Sequence, residues 1–261
     1  MKKITKKSVR RLPEAPRKVL SASLRAQVDE AIKTYNLIEN GDSILAAVSG
    51  GKDSLSMLSF LHEMRGNPGG PKFKLFAAHI KTDFHCGGCS HRKVLSEVFG
   101  KLGIEFRFKD IQVLDEKRKT NCFWCSWNRR KALFEIAHEL GCNKVAFGHH
   151  KDDIVETALL NLFYQGEISA MKPKQEIFRG IITIIRPLCF TAEADIINYA
   201  KEKGFPEQLC KCPFGMTSKR KVVKQLLKDA KKIFPGEDVT SNIMANLIKI
   251  SKKPRLALKK A

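Results

Sequence analysis

Three groups of residues in the 261-residue chain have types and spacing suited to chemistry. The first is Ser49-Gly50-Gly51-Lys52-Asp53-Ser54, where adjacent glycines permit close backbone approach and a lysine beside hydroxyls suits a phosphate group. The second follows Gly148: His149-His150-Lys151-Asp152-Asp153 offers two carboxylates of the kind that hold Mg2+ beside phosphate oxygens, although carboxylates there also suit the start of a helix. The third is a set of close cysteine pairs, Cys86 and Cys89 in HCGGC, Cys122 and Cys125 in CFWC, and Cys210 and Cys212 in LCKC. A C-x-x-C pair can clamp one corner of a metal site and needs further ligands from elsewhere in the chain. From spacing alone a structural zinc and an iron–sulfur cluster are equally suited, with a redox disulfide as a third reading. Cys142 and Cys189 stand singly in apolar surroundings and read as small buried hydrophobes.

The segments around these groups predict how they are held. Ile44–Val48 has the length and composition of a buried parallel strand, and Leu55, Met57, Leu58 and Leu61 approximate the buried face of a helix. The glycine loop thus joins a strand to a helix N-terminus, whose amides favour an anion. It is not a Walker loop, since Ala46 stands where that pattern has glycine and Asp53 follows Lys52. VAFGHHKDDIVETALLNLF repeats the arrangement of strand, polar loop and helix, with Ile154, Ala158, Leu159 and Leu162 on one face. Further strands are expected at Lys74–Ile80, Ile104–Asp110, Lys144–Gly148 and Ile181–Ile185. Helices are expected near residues 24–37, 89–102, 124–140 and 152–164. The alternation predicts an α/β fold with a parallel sheet covered by helices on both faces. The loops after Val48, Ile80, Asp110 and Gly148 should then ring one site at the C-terminal edge of the sheet. Beyond residue 190 the pattern becomes helical and basic.

Charge bounds the partner. With 48 Lys and Arg against 27 Asp and Glu the net charge is +21, which predicts a polyanionic partner, nucleic acid first and an acidic membrane surface second. Basic runs lie at the start, near residues 217–232 and at the end. Three such runs beside a phosphate loop favour RNA. There is no apolar stretch of membrane-spanning length and no hydrophobic signal region behind the basic start, so a cytoplasmic location and no membrane partner are expected. Eight cysteines in a cytosolic chain point to metal or redox chemistry rather than structural disulfides.

SGGKDS after an apolar strand resembles the pyrophosphate loop of the PP-loop ATP pyrophosphatases. Taken with CFWC and its following basic residues, GHHKDDIVETALLNLFYQGEISAMKPK, the RPL at Arg186–Leu188 and the cysteine pair before KRKVVKQLL, the chain resembles the TtcA family of tRNA 2-thiocytidine synthetases. The match runs in this order from about residue 22 to about 240. The related uridine-thiolating TtuA group resembles it less, because it carries zinc-finger modules at its ends and no cysteine precedes Cys86.

The resemblance implies a Rossmann-like, HUP-type PP-loop domain over residues 21–190 and a basic helical region over 191–250 that completes the cluster site and the tRNA surface. Basic tails are expected at 1–20 and 251–261. It implies an ATP-dependent tRNA sulfurtransferase that adenylates the C2 oxygen of the anticodon-loop cytidine at tRNA position 32, releases pyrophosphate and installs sulfur. By motif match, Ser49, Gly50, Gly51, Lys52, Asp53, Ser54, Gly148 and Asp153 bind ATP, while Asp53 and Asp153, with Asp152, hold Mg2+ or orient the base. Cys122, Cys125 and Cys210 (or Cys212) hold a [4Fe-4S] cluster that leaves one iron open to sulfide. The implied catalytic set is Asp53, Asp153, Cys122, Cys125 and Cys210. The last pair departs from the family's C-x-x-C, being C-x-C, and the HCGGC pair is no part of its pattern. The expected partners are tRNA and a cysteine desulfurase or other sulfide donor, with the oligomeric state, a homodimer included, left unspecified. Competing functions are thiolation of a tRNA uridine, a non-sulfur PP-loop ligase such as a tRNA lysidine synthetase, and a zinc-stabilised RNA-binding protein.

Overall fold

The computed structural model describes residues 17–84, 90–206, 219–234 and 236–251. Cys86, Cys89, Cys210 and Cys212, and most of both expected tails, lie outside them.

Five strands run parallel: β1 (Ser43–Ala47), β2 (Lys74–Thr82), β3 (Glu105–Ile111), β4 (Lys144–Ala146) and β6 (Ile182–Ile185). A sixth, β5 (Lys174–Ile177), pairs antiparallel with β6, giving the order β3-β2-β1-β4-β6-β5. The strand β5 departs from the all-parallel expectation. Its sequence KQEI has no apolar alternation because it lies at a half-solvated edge.

Strand β1 is buried on both faces, which explains its unbroken apolar run. Ile44, Ala46 and Val48 pack against α2 (Lys52–Gly66), α3 (Ser90–Lys101) and α6 (Glu193–Glu202) through Leu55, Leu58, Leu95, Phe99, Ile196 and Tyr199. Leu45, one residue out of phase, packs on the other face with Ala132, Leu133 and Ile136 of α4 (Cys122–Glu139). The helical part after residue 190 divides. Helix α6 returns to the first layer, whereas α7 (Lys219–Ile233) and α8 (Val239–Ser251) bury Val223, Leu227 and Met244 against Ile154 and Val155 of α5 (Lys151–Gln165) and Ala31 of α1 (Arg17–Tyr35). Helix α1 starts at Arg17, inside the stretch expected to be a tail.

From β1 the chain winds outward to β3, then crosses back to β4 on the other side of β1. The loops after β1 and β4 therefore leave the sheet in opposite directions and open a crevice at their C-terminal ends, where ligands of such folds bind.

A buried ion pair fixes the opposite ends of these strands. Lys144 Nζ reaches Asp42 Oδ2 at 2.6 Å and Glu39 Oε2 at 3.2 Å, and Asn143 Nδ2 donates to Asp42 Oδ1 at 2.8 Å. Burial alone would raise the pKa of Asp42, but Lys144, the Glu39 amide and Asn143 hold it below the ordinary carboxylate value. The pair thus stabilises the fold above the unfolded carboxyl pKa of about 3.9, and the contribution is lost as pH falls through the lower folded value. Lys144→Ala, which strands a buried carboxylate, is expected to cost about 3–5 kcal/mol in urea unfolding and to weaken the dependence on acid. A loss under about 1 kcal/mol would show that water reaches Asp42.

Among the described residues no helix is long and apolar enough to cross a membrane.

Candidate active site

The loop after β1 is closed by its own side chains. The Ser49 amide donates to Ser54 Oγ at 3.2 Å, the Gly51 amide to Ser49 Oγ at 3.4 Å, and Ser54 Oγ donates to the Gly51 carbonyl at 2.9 Å. Gly50 has φ +88°, in the left-handed region that favours glycine. Beneath it, His79 Nδ1 on β2 lies 2.8 Å from the Val48 carbonyl. Gly51 is the N-cap of α2 and supplies no capping side chain, so the helix begins with its positive end toward the loop.

Lys52 and Asp53 follow. Lys52 Nζ stands 3.1 Å from Asp53 Oδ1 and 3.3 Å from Glu193 Oε1. Asp53 Oδ1 is buried and makes no hydrogen bond, a costly state for a carboxylate oxygen. Its cationic neighbour is Lys52, and His150 Nε2 lies 3.9 Å from Oδ1.

The second loop closes onto the first. A Cβ at Gly148 would lie 2.9 Å from the carbonyl carbon and oxygen of Asp53 and 3.0 Å from Ser54 Cα, so only glycine lets the two loops meet. Gly148→Ala is expected to cost about 1–3 kcal/mol through this overlap and to displace Asp53. The loss should be seen in thermal unfolding, together with loss of the rise in Tm expected when a nucleoside triphosphate is added to the parent protein. A parent-like rise would show that the close approach is dispensable.

Helix α5 opens with a capping box. Asp153 Oδ2 accepts the His150 amide at 3.2 Å and His150 Nδ1 the Asp153 amide at 3.3 Å. Asp153 Oδ1 accepts from Arg220 Nη1 at 3.0 Å. Asp152 turns away, and its Oδ2 accepts the Glu193 amide at 2.7 Å at the start of α6. The helix-start reading therefore holds for both carboxylates, and Asp153 also faces the cavity.

His149 is stacked on Phe147 at 5.6 Å and accepts at Nδ1 from Arg186 Nε at 3.3 Å. Burial, then the Arg186 charge, lower its pKa to about 4, so at neutral pH it is uncharged with its proton on Nε2. Burial and then Arg130 lower Arg186 itself to about 10, which leaves it cationic.

These loops and α4 enclose a cavity of about 320 Å³, lined by Val48, Ser49, Asp53 and Ser54 of the first loop and by Phe147, Gly148, His149 and Asp153 of the second. Ala78 and Ile80 of β2 and Ser126, Arg129, Arg130 and Leu133 of α4 complete it. That volume suits a small-molecule ligand. The loop after β3 does not join the ring. Val113 donates to Asp83 Oδ1 at 2.8 Å and Asp110 pairs with Arg92 at 2.7 Å, away from the cavity. Helix α4 fills its place.

Cys122 and Cys125 lie in the first turn of α4, where the Asn121 side chain caps the helix by accepting the Trp124 amide at 2.8 Å. At helical spacing Cys122 shares a stripe with Ser126, Arg129 and Leu133, so the cysteines begin the surface that continues into the cavity. Among the described residues no three His, Cys, Asp or Glu side chains gather to hold a metal. Cys142 and Cys189 are buried, as their apolar surroundings predict, and burial pushes the Cys189 thiol up to about 12.

Sequence reasoning missed Glu193, Arg220 and Lys224. Glu193 bridges Lys52 of the phosphate loop and Lys224 of α7, whose Nζ lies 2.6 Å from Oε2. Burial alone would raise the Glu193 pKa, but Lys224 and Lys52 hold it at about 2. Nothing in EADII or KRKVVK marks these residues, since their partners are distant in sequence.

A family model described as a PP-loop domain matches residues 20–206. Proteins called tRNA-cytidine(32) 2-sulfurtransferase from Aeromonas salmonicida and Burkholderia mallei are each 38% identical to the chain. The first match spans 83% of this chain and 73% of the relative, the second 85% and 68%. The chain belongs to this PP-loop sulfurtransferase family. A solved structure described as the U34-tRNA thiolase NcsA from Methanococcus maripaludis with its [4Fe-4S] cluster superposes with TM-score 0.74 at 21% identity, covering 92% of this chain and 81% of that one. It shares the fold of this PP-loop sulfurtransferase. The family match ends after α6, the helix that packs in the first layer, and leaves α7 and α8 beyond it.

Proposed function

We propose that this PP-loop chain is an ATP-dependent tRNA-cytidine 2-sulfurtransferase acting on cytidine 32 of the anticodon loop. The observation that carries this reading is the shared cavity, in which the phosphate loop and the cysteine-bearing helix α4 face one another. ATP cleavage and sulfur delivery converge there on one carbon.

The cytidine C2 oxygen is a poor leaving group. Its attack on the α-phosphorus of ATP forms an O–P bond, breaks the bond to the β-phosphate and releases pyrophosphate. Sulfide then adds at C2, and AMP departs with the oxygen. Lys52 and the amides at the start of α2 neutralise the departing pyrophosphate, while Ser49 and Ser54 keep the loop open in that shape. Uncharged His149 offers its Nε2 proton to a substrate oxygen without adding charge, held in this tautomer by Arg186. Arg129 and Arg130 line the side of the cavity toward the RNA.

Mg2+ fits beside Asp53, whose Oδ1 has no hydrogen bond, with Asp153 opposite, and would shield the phosphate charge. Cys122 and Cys125, with Cys210 or Cys212 beyond the described residues, suit a [4Fe-4S] cluster, which when bound would supply an iron for sulfide. The basic face of α7 and the basic runs at either end would hold tRNA phosphates. A cysteine desulfurase, whose persulfide sulfur is released as sulfide by two electrons from a thiol reductant, or another sulfide donor would provide the sulfur, in the cytoplasm.

The test is anaerobic incubation of the purified protein with ATP, sulfide and tRNA, followed by nucleoside mass spectrometry. ATP-dependent 2-thiocytidine, with about four irons and four sulfides per chain, is expected. Zinc without iron, or ATP cleavage that leaves the RNA without sulfur, would overturn the reading.

A further inference from the structure

We propose that Phe123 and Trp127 form a stacking platform for an unpaired base of the RNA beside the target nucleotide. The proposal rests on the chain's reading as a tRNA sulfurtransferase. Helix α4 exposes 75% of Phe123 and 56% of Trp127, although aromatic side chains of that size normally supply a core. Their rings lie 6.4 Å apart and 16° from parallel, a stacked and exposed pair whose wide spacing leaves aromatic surface for a further ring.

Placement argues for function. The stripe Cys122, Ser126, Arg129, Leu133 leads into the cavity, and Phe123, Trp127 and Arg130 form the adjoining stripe at spacings of four and three. The last of these, Arg130, already lines the cavity. The platform thus flanks the entrance and continues inward as a cation. The aromatic residues contribute little to α4 itself, which is anchored by Ala132, Leu133, Ile136 and Ala137 at its other end.

The neighbouring charge selects the occupant. Arg129, Arg130 and Lys131 follow Trp127 on the same helix, in a chain of net charge +21. Aromatic faces interleaved with cations are how proteins hold single-stranded nucleic acid, the rings taking bases and the cations taking phosphates. A loop nucleotide next to the target is unpaired and can turn its face outward, whereas a paired base cannot.

Trp124 and Trp127 are the only two tryptophans in the chain, so intrinsic fluorescence reports on this helix without a label. The holoprotein is titrated with an anticodon stem-loop RNA and with a fully paired two-strand RNA duplex of the same nucleotide count. Stronger quenching by the stem-loop is expected, most of it lost in Trp127→Ala. Phe123→Ala and Trp127→Ala should each raise the KM for tRNA on the order of tenfold while the KM for ATP holds, and Trp127→Phe should restore it. A double variant with parent-like RNA affinity and KM would overturn the platform and leave the reaction standing. So would a rise in KM for the protein sulfur donor instead of tRNA, which would make the surface a protein dock. Loop-selective quenching in a parent protein that thiolates no tRNA would uphold the platform and sink the assigned reaction.

Discussion

Cys122→Ser is expected to abolish sulfur transfer, lowering 2-thiocytidine formation by at least about 10³-fold, while tRNA-dependent pyrophosphate release persists. A serine oxygen does not replace a thiolate on a soft iron centre. Cys122 is exposed in the first turn of α4, remote from the buried anchors of that helix, so the substitution leaves the fold intact. The groups that would handle ATP sit on the loops after β1 and β4, on different elements from the cysteine. Iron analysis should show the cluster lost together with thiolation. Retention of iron and sulfide would mean that Cys122 is not a ligand, and simultaneous loss of pyrophosphate release would mean that the two half-reactions are not separable.

Asp53→Ala should do the reverse, reducing AMP transfer by about 10²–10³-fold with iron content unchanged. Its Oδ1 is buried without a hydrogen bond and is offset only by the Lys52 ammonium at 3.1 Å, so a bound cation or donor would stabilise it further. Removing it takes one partner from Lys52, which keeps Glu193 at 3.3 Å. The Tm of the unliganded variant should therefore hold or rise while activity falls. Unimpaired pyrophosphate release would remove Asp53 from the site, and a large drop in Tm would make its role structural.

The elements that carry this site were legible where local sequence and tertiary demand agree. The run Ile44–Val48 could be read as a strand because both of its faces are covered, and the loop after it because glycines and a lysine sit where α2 begins. The strand β5 escaped because a half-exposed edge imposes no apolar pattern on KQEI. The ring of loops was right for β1 and β4 and wrong for β3, since fold logic says which edge binds ligand and not which loop a hydrogen bond such as that of Val113 to Asp83 will tie back. Strand β2 lines the cavity through Ala78 and Ile80 of the strand itself, and most of the loop after it lies outside the described residues. Asp152 and Asp153 look equivalent in sequence. Only packing assigns one to the start of α6 and the other to the cavity and Arg220.

The two outer strands bear on the company the protein keeps. A mostly parallel sheet this apolar would recruit further chains if its borders were smooth, because each outer strand offers a row of backbone donors and acceptors. The border at β3 carries Glu105 and Arg107, paired at 2.8 Å, and Lys109, which reaches Glu135 at 2.7 Å. The border at β5 is four residues long, and Lys174 is drawn aside to the Asn36 carbonyl at 2.8 Å. Charge on one margin and brevity on the other discourage strand-to-strand aggregation, so neither described border of the sheet invites a second copy of the chain to extend it.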